Sequence, residues 1–386
     1  MSTPGNTAAG NAGKRQAHPQ WQAYIDAKLG LPNYWYPGVL SEELADGQFL
    51  GVQMLGERVL LGRAGGKVYA VADRCLHKGA QFSGRPDCHK AGTITCHYHG
   101  FTYDLASGVL VDILTSPDEP IIGKVALRTF PVREAQGVVF VFIGDAAPTP
   151  LEHDVPPGFL DEKNAVAGIR REVKSNWRVA AENGDDPSHL YTHRNSPYVI
   201  KEGINIPVRT AGRDWKERVK VVMDRQPYGI TDQFERTVNV IKEGEQRRGP
   251  SISLWMPGSL TVTPWPKPGM TNYEWYVPVD EGRHMYFQLL ARAVETPEER
   301  RAWQAEVREK WATTLFEGFN NDDIFVRENV QPFYAQDDAY HEELLIRSDA
   351  VTLQWRSLVS AHHRGLGRQA TAAIRVEPGA ARGPAE

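Results

Sequence analysis

The 386-residue chain reads as an α+β protein in two parts, a small all-β unit followed by a larger unit of mixed strand and helix. Three observations predict this. Between about residues 50 and 145, β-rich runs alternate with turn residues. A proline-rich stretch, DAAPTPLEHDVPPGFL, then interrupts the pattern. Beyond it come further strand-like runs and one long segment whose apolar residues recur at helical spacing. A chain of this length can bury two cores without disulfide staples.

Residues 1–18 are Gly, Ala, Ser, Asn and Lys/Arg with little to bury, and predict a disordered arm. In RVLLGRAGGKVYAVAD two β-rich runs flank Gly65-Gly66, a hairpin signal. TYDLASGVLVDI repeats it around Ala106-Ser107-Gly108, and GVVFVFIGD is a further strand. After the proline-rich seam, SNWRVAAENG predicts a helix stopped by Gly184, and DDPSHLYTH begins another. Strands return between about 215 and 295, including SISLWMPGSLTVTPW and YEWYVPVD. TPEERRAWQAEVREKWATTLFEGF then predicts one long helix. Its apolar stripe is Trp303, Val307, Trp311, Leu315 and Phe319, with Thr296 as cap, Pro297 in the first turn and Glu299 closing a capping box.

A net charge of −4 and 24% charged residues give no footprint for nucleic acid. No run approaches eighteen apolar residues, and the opening MSTPGNTAAGNAGKRQ has no apolar segment, so neither a membrane span nor a secretory signal is expected. The protein is therefore expected to be cytoplasmic, with reduced thiols.

All three cysteines and four of the twelve histidines fall in CLHKGAQFSGRPDCHKAGTITCHYHG, residues 75–100. In a reducing compartment such a cluster reads as metal ligands. It resolves into two pairs, Cys75-x-His77 and Cys96-x-x-His99, each able to sit in a tight loop at a strand tip. Thiolate and imidazole suit zinc or an iron–sulfur centre. The narrow first spacing fits a Rieske [2Fe–2S] centre, with two Cys on one iron and two His on the other. Gly79 and Gly100 follow the pairs and let backbone approach a cluster. A Cys₃His zinc site drawing on Cys88, His89 or His97 would abandon the paired loops, so these three are read as surface residues.

A second ligand set lies in AENGDDPSHLYTH. His189 and His193, four apart, share one face of a helix, with Asp186 able to cap it and Pro187 at its first position. Two His and one carboxylate leave positions open for dioxygen on ferrous iron. EGFNNDDIFVREN, at the end of the striped helix, offers Asp322 and Asp323, one as ligand and the other solvated or hydrogen-bonded.

The Cys/His pairs, ENGDDPSHLYTH and the late NNDDI together resemble the large subunits of Rieske non-haem iron aromatic ring-hydroxylating oxygenases, across nearly the whole ordered chain. DILTSP, SLWMPG, EGFNNDDI and the three residues between His189 and His193 resemble the carbazole-type subgroup. The resemblance implies a Rieske domain at 36–150. It also implies a catalytic domain at 19–35 and 151–365, an antiparallel sheet surrounded by helices (helix-grip, START-like), and a flexible tail at 366–386. Cys75, His77, Cys96 and His99 would hold the [2Fe–2S] cluster, and His189, His193 and Asp323 a mononuclear Fe(II). Asp186 would bridge the two metal sites between neighbouring subunits of a homotrimer lacking a small subunit. Gly184, Ile252, Trp265, Phe319 and Asn320 would line the substrate pocket, with Trp265 larger than the Phe of the subgroup. The implied partners are O₂ and a ferredoxin reduced by an NAD(P)H-dependent reductase. The implied reaction is angular dioxygenation of carbazole or a related polycyclic aromatic, through a hemiaminal that opens to an aminobiphenyl diol. Alternatives are a Rieske monooxygenase or O-demethylase with the same metals, an electron carrier, and a zinc-stabilised interaction protein. A carrier would not need the long second unit.

Overall fold

The computed structural model describes residues 21–206, 219–232, 237–240, 245–366 and 375–376. The expected arm lies outside them, as does most of the expected tail. Within that tail, Arg375–Val376 pairs antiparallel with Val125–Ala126.

Small antiparallel sheets build the N-terminal unit. Phe49–Met54, Glu57–Ala64 and Lys67–Ala72 form one, turning at Gly65-Gly66 in the register Ala64↔Lys67. Thr93–Thr95, Phe101–Asp104 and Leu110–Ile113 form a second, whose hairpin turn is tied by Asp104 accepting from the Ser107 N–H and hydroxyl. Tyr34–Leu40, Val138–Ile143 and Val132–Ala135 form a third. Every residue of Tyr34–Leu40 and Val138–Ile143 is buried, because this sheet also packs on the second unit. The proline-rich seam is equally well anchored. Asp154 is fully buried, accepts from the Trp35 N–H at 2.9 Å and pairs with Arg364 at 2.6 Å.

The second unit is a seven-stranded antiparallel sheet. Its spatial order is Asn164–Val173, Arg283–Ala293, Met270–Asp280, Ser259–Thr263, Ser251–Trp255, Gly229–Asp232, Val219–Val222. The helix Trp177–Asp185 lies on its central strands, and Asn320–Tyr334 and Ala350–His362 pack against that helix. The α+β class and the antiparallel sheet with helices agree with the sequence.

Four local expectations need correction. Gly184 does not end its helix, which continues to Asp185. Residues His189–Asn195 form a 3₁₀ helix, and Asp186 ties the turn before it by accepting from the Ser188 N–H at 2.7 Å. The striped segment is α-helical only over Pro297–Glu306 and widens to a π-helix over Val307–Glu317. Finally, Asp322 and Asp323 do not end that helix. They occupy the first turn of a new one, Asn320–Tyr334, where acidic groups complement the helix dipole.

Candidate metal centres

The two Cys/His loops share one backbone design. Cys75 N–H bonds to Ala80 O and Gly79 N–H back to Cys75 O; Cys96 N–H bonds to Phe101 O and Gly100 N–H back to Cys96 O. Gly100 is at φ 70°, and a Cβ there would lie 2.7 Å from Leu114, so only glycine fits. Cys75 and Cys96 are 2% exposed, whereas His77 is exposed and His99 half-buried. The His77 and His99 Nδ1 atoms lie 3.1 Å apart, and the His77 ring stacks on Phe101. The thiols thus form an inner pair and the imidazoles an outer one. Two separated pairs match the two irons of a Rieske cluster. Burial pushes the Cys75 thiol up, partly offset by the Tyr103 hydroxyl at 3.4 Å. Cys88 and His89 are exposed on the intervening loop, and His97 is exposed as well.

His189, His193 and Asp323 do converge, each offering one atom within 4.8 Å of the others. The 3₁₀ helix supplies both histidines and the first turn of Asn320–Tyr334 supplies the carboxylate. Asp323 Oδ1 lies 3.2 Å from His193 Nε2 and 3.7 Å from His189 Nε2. His193 Nε2 and Asp323 Oδ1 are buried, and neither makes a hydrogen bond. Two orphaned buried donors facing a common point are what a divalent metal would satisfy. Burial raises the Asp323 carboxyl, but the charges of His193 and Arg327 outweigh it and hold it well below the usual carboxylate range. Burial lowers His189, leaving the neutral imidazole that ligation needs.

Asp186 touches His189 through its main-chain carbonyl, which accepts from Nδ1. Within one chain the contact to the His189 ring is thus made by the Asp186 main chain. Asp186 lines a cleft of about 530 Å³ together with Ser188, His189, Tyr191, Leu344 and Asp349. Burial raises its pKa, against the opposing effects of His189 and the Ser188 N–H.

The expected pocket residues fall into two groups. Phe319 stacks on the His193 ring at 3.7 Å, and Trp265 packs 5.1 Å from Phe319. Asn320 Nδ2 lies 3.2 Å from Asp323 Oδ2, 3.4 Å from Glu274 and 3.3 Å from the Tyr286 hydroxyl, so that end of the amide props the metal carboxylate. Gly184 and Ile252 lie instead on the side of Tyr276 and the Asn272–Glu274 face. A Cβ on Gly184 would meet the Tyr276 hydroxyl at 2.5 Å. Ile252 packs in the cluster of Leu254 and Leu260, and its register through Val262 puts it on the sheet face carrying Asn272 and, one row away, Glu274.

Two family matches cover the chain: a Rieske [2Fe-2S] domain at residues 34–131 and a homotrimeric ring hydroxylase at 142–367. The chain is 46% identical to the terminal oxygenase component of carbazole 1,9a-dioxygenase from a Sphingomonas species, over 90% of this chain and 95% of the relative. The chain belongs to the Rieske-type homotrimeric ring hydroxylases. Its fold superposes on the solved terminal oxygenase of carbazole 1,9a-dioxygenase from Novosphingobium sp. KA1 with a TM-score of 0.84 at 44% identity, covering 91% of this chain and 98% of that one. A second similar structure is the reduced complex between oxygenase and ferredoxin of carbazole 1,9a-dioxygenase, with a TM-score of 0.83 at 42% identity, covering 92% and 95%.

The ring hydroxylase is thus a Rieske non-haem iron dioxygenase component, with a [2Fe–2S] domain and a His₂Asp set able to bind mononuclear iron. Among its described residues no helix is long and apolar enough to cross a membrane. Sequence reading missed the buried polar network behind the metal set. Glu274, 3% exposed, accepts from Asn272 at 2.8 Å and from the Tyr276 hydroxyl at 2.7 Å. Arg327 lies fully buried over the Tyr276 and Tyr286 rings and donates to Asn183. The signal was present in TNYEWYVPVD, where polar residues alternate along a strand too apolar to have a wet face.

Proposed function

We propose that the ring hydroxylase is the terminal oxygenase of a multicomponent dioxygenase that accepts electrons from a ferredoxin and dihydroxylates carbazole or a related flat polycyclic aromatic in the cytoplasm. The observation that carries this is the convergence of His189, His193 and Asp323, with orphaned buried donor atoms, in a chain that also holds paired Cys/His loops. Cys75 and Cys96 would hold the inner iron of the cluster, and His77 and His99 the exposed outer one. His189, His193 and Asp323 would hold the mononuclear iron, which when bound supplies the activation of dioxygen. In a homotrimer the exposed His77–His99 edge of one subunit would enter the cleft beside Asp186 of the next. There the Asp186 carboxylate would receive an imidazole N–H, while its carbonyl holds His189.

Phe319, Trp265 and Ile252 would give the pocket apolar walls that hold a flat ring and exclude water. At Gly184 the Tyr276 hydroxyl and Leu260 fill the space that a side chain would need, so glycine there would keep the helix close to the sheet beside the pocket. Asn320 would keep Asp323 aimed at the metal through its hydrogen bond.

The test is turnover with a reductase and ferredoxin under ¹⁸O₂, offering carbazole, dibenzofuran, dibenzodioxin and naphthalene. Two labelled oxygens in one product, largest in yield from carbazole, is the expected result. A single labelled oxygen would establish a monooxygenase instead.

A further inference from the structure

The adjacent acids Asp322 and Asp323 approach the same imidazole from its two sides. Asp323 faces His193 Nε2 at 3.2 Å. Asp322 Oδ2 lies 3.7 Å from His193 Nδ1 and accepts a hydrogen bond from the Ser196 hydroxyl, which is itself 3.3 Å from that Nδ1. His193 and Ser196 are buried, while Asp322 is 36% exposed at its side chain. Phe319, one helical turn's start away, covers the ring face at 9°. The imidazole is therefore gripped on three sides by one short stretch of chain.

We propose that Asp322 is a positioning residue which, through Ser196, fixes His193 in the tautomer with its proton on Nδ1 and its lone pair on Nε2, strengthening that nitrogen as a ligand for a divalent metal. The hydroxyl has one proton, and Asp322 takes it. The remaining lone pairs of Ser196 Oγ can then only accept, so the Nδ1 side of the ring must donate. An anion at the far end of this relay raises the basicity of the liganding nitrogen, and loss of such outer partners weakens metal binding by about 10–100-fold. Asp322 acts only through Ser196 and His193 and does not reach the metal.

This inference rests on the reading of His189, His193 and Asp323 as a metal site. It is tested with Co(II) alone, titrated into full-length protein stripped of mononuclear iron while the [2Fe–2S] absorption is retained. The variants are Asp322→Asn, which keeps shape and removes charge at a partly exposed position, and Ser196→Ala. His193→Ala serves as the reference without a site. The expected result is Co(II) affinity lowered about 10–100-fold in both variants and a shifted Co(II) ligand-field band. Cluster absorption and the melting temperature of the Co-free protein should stay unchanged. A loss of about threefold or less in Asp322→Asn overturns the proposal and leaves the metal site standing. A loss accompanied by an equal fall in melting temperature in both variants marks a packing role and also overturns it. Wild-type protein that binds Co(II) no better than His193→Ala overturns the metal reading itself.

Discussion

At the scale of single residues, hydrogen bonds decide what each metal-facing group can do. The Tyr103 hydroxyl accepts from the Leu76 N–H at 3.2 Å, so its own proton is directed at Cys75 Sγ, 3.4 Å away. A donor on a thiolate stabilises the more negative, reduced state of a cluster. Tyr103→Phe should therefore lower the Rieske reduction potential by on the order of tens of millivolts, since about 60 mV matches 1.4 kcal/mol for one electron. Redox titration of the g-tensor signal checks this, and an unchanged potential would show that the contact carries no weight. Asp186 gives the complementary case. Its carbonyl contact to His189 survives Asp186→Ala, because it belongs to the main chain. That variant should keep both centres loaded by iron analysis yet lose nearly all turnover; normal product formation would sink the inter-subunit route.

Elements explain why part of the site was legible and part was not. Ligand identities follow from residue chemistry and spacing, so Cys75, His77, Cys96, His99, His189 and His193 stand out in the sequence. The helix types do not. A four-residue apolar repeat overshoots the 3.6-residue α turn, so a stripe from Trp303 to Phe319 would drift around the helix. The structure absorbs the overshoot with wider π turns over Val307–Glu317 and keeps Trp311, Leu315 and Phe316 buried. That strict spacing was the available clue. Asp322 and Asp323 start a new helix because Gly318 caps the striped segment and Phe319 turns the chain before Asn320, so that glycine was the available signal. The buried Glu274 network depends on which strands meet, which spacing cannot reveal. The start of the striped segment was read correctly as to cap. Thr296 Oγ1 accepts from the Glu299 N–H at 3.2 Å, although Glu299 reaches back to Glu295 and not to Thr296. Thr296→Ala should cost about 1 kcal/mol of unfolding free energy. Chemical denaturation with an unchanged slope measures it, and no loss would mean that Pro297 alone sets this helix start.

The whole molecule adds a pH dependence and an assembly requirement. Burial, with a smaller contribution from Arg327, holds His284 down at about 3, although its Nδ1 bonds to the Ser175 carbonyl at 2.7 Å. The unfolded chain takes up this proton near 6.5 and the folded one does not, so the group contributes no destabilisation above pH 6.5. Between pH 6.5 and 3 it should cost about 1.4 kcal/mol per unit as pH falls. Urea midpoints at pH 7 and 5.5 should show His284→Gln with a flatter acid limb; equal slopes would assign the acid sensitivity to other groups. Assembly leaves a different mark. Leu344, 90% exposed, and Tyr191, 55%, line the cleft where Asp186 and His189 sit, and Ile346, 62% exposed, follows Leu344 by two residues. In the N-terminal unit Tyr98, 59% exposed, packs on His99, and Leu114, 40% exposed, lies against Gly100. Apolar side chains left in water around both centres match surfaces that meet between copies. The pair Leu344→Asp and Ile346→Asp places two further acids beside Glu343 and Asp349, where a neighbour would bury them unpaired. The doubly substituted protein should sediment as the 43.2 kDa chain, retain its cluster absorption and mononuclear iron, and turn over no substrate. A trimer with full activity would move the subunit contact, and the electron route with it, to another face.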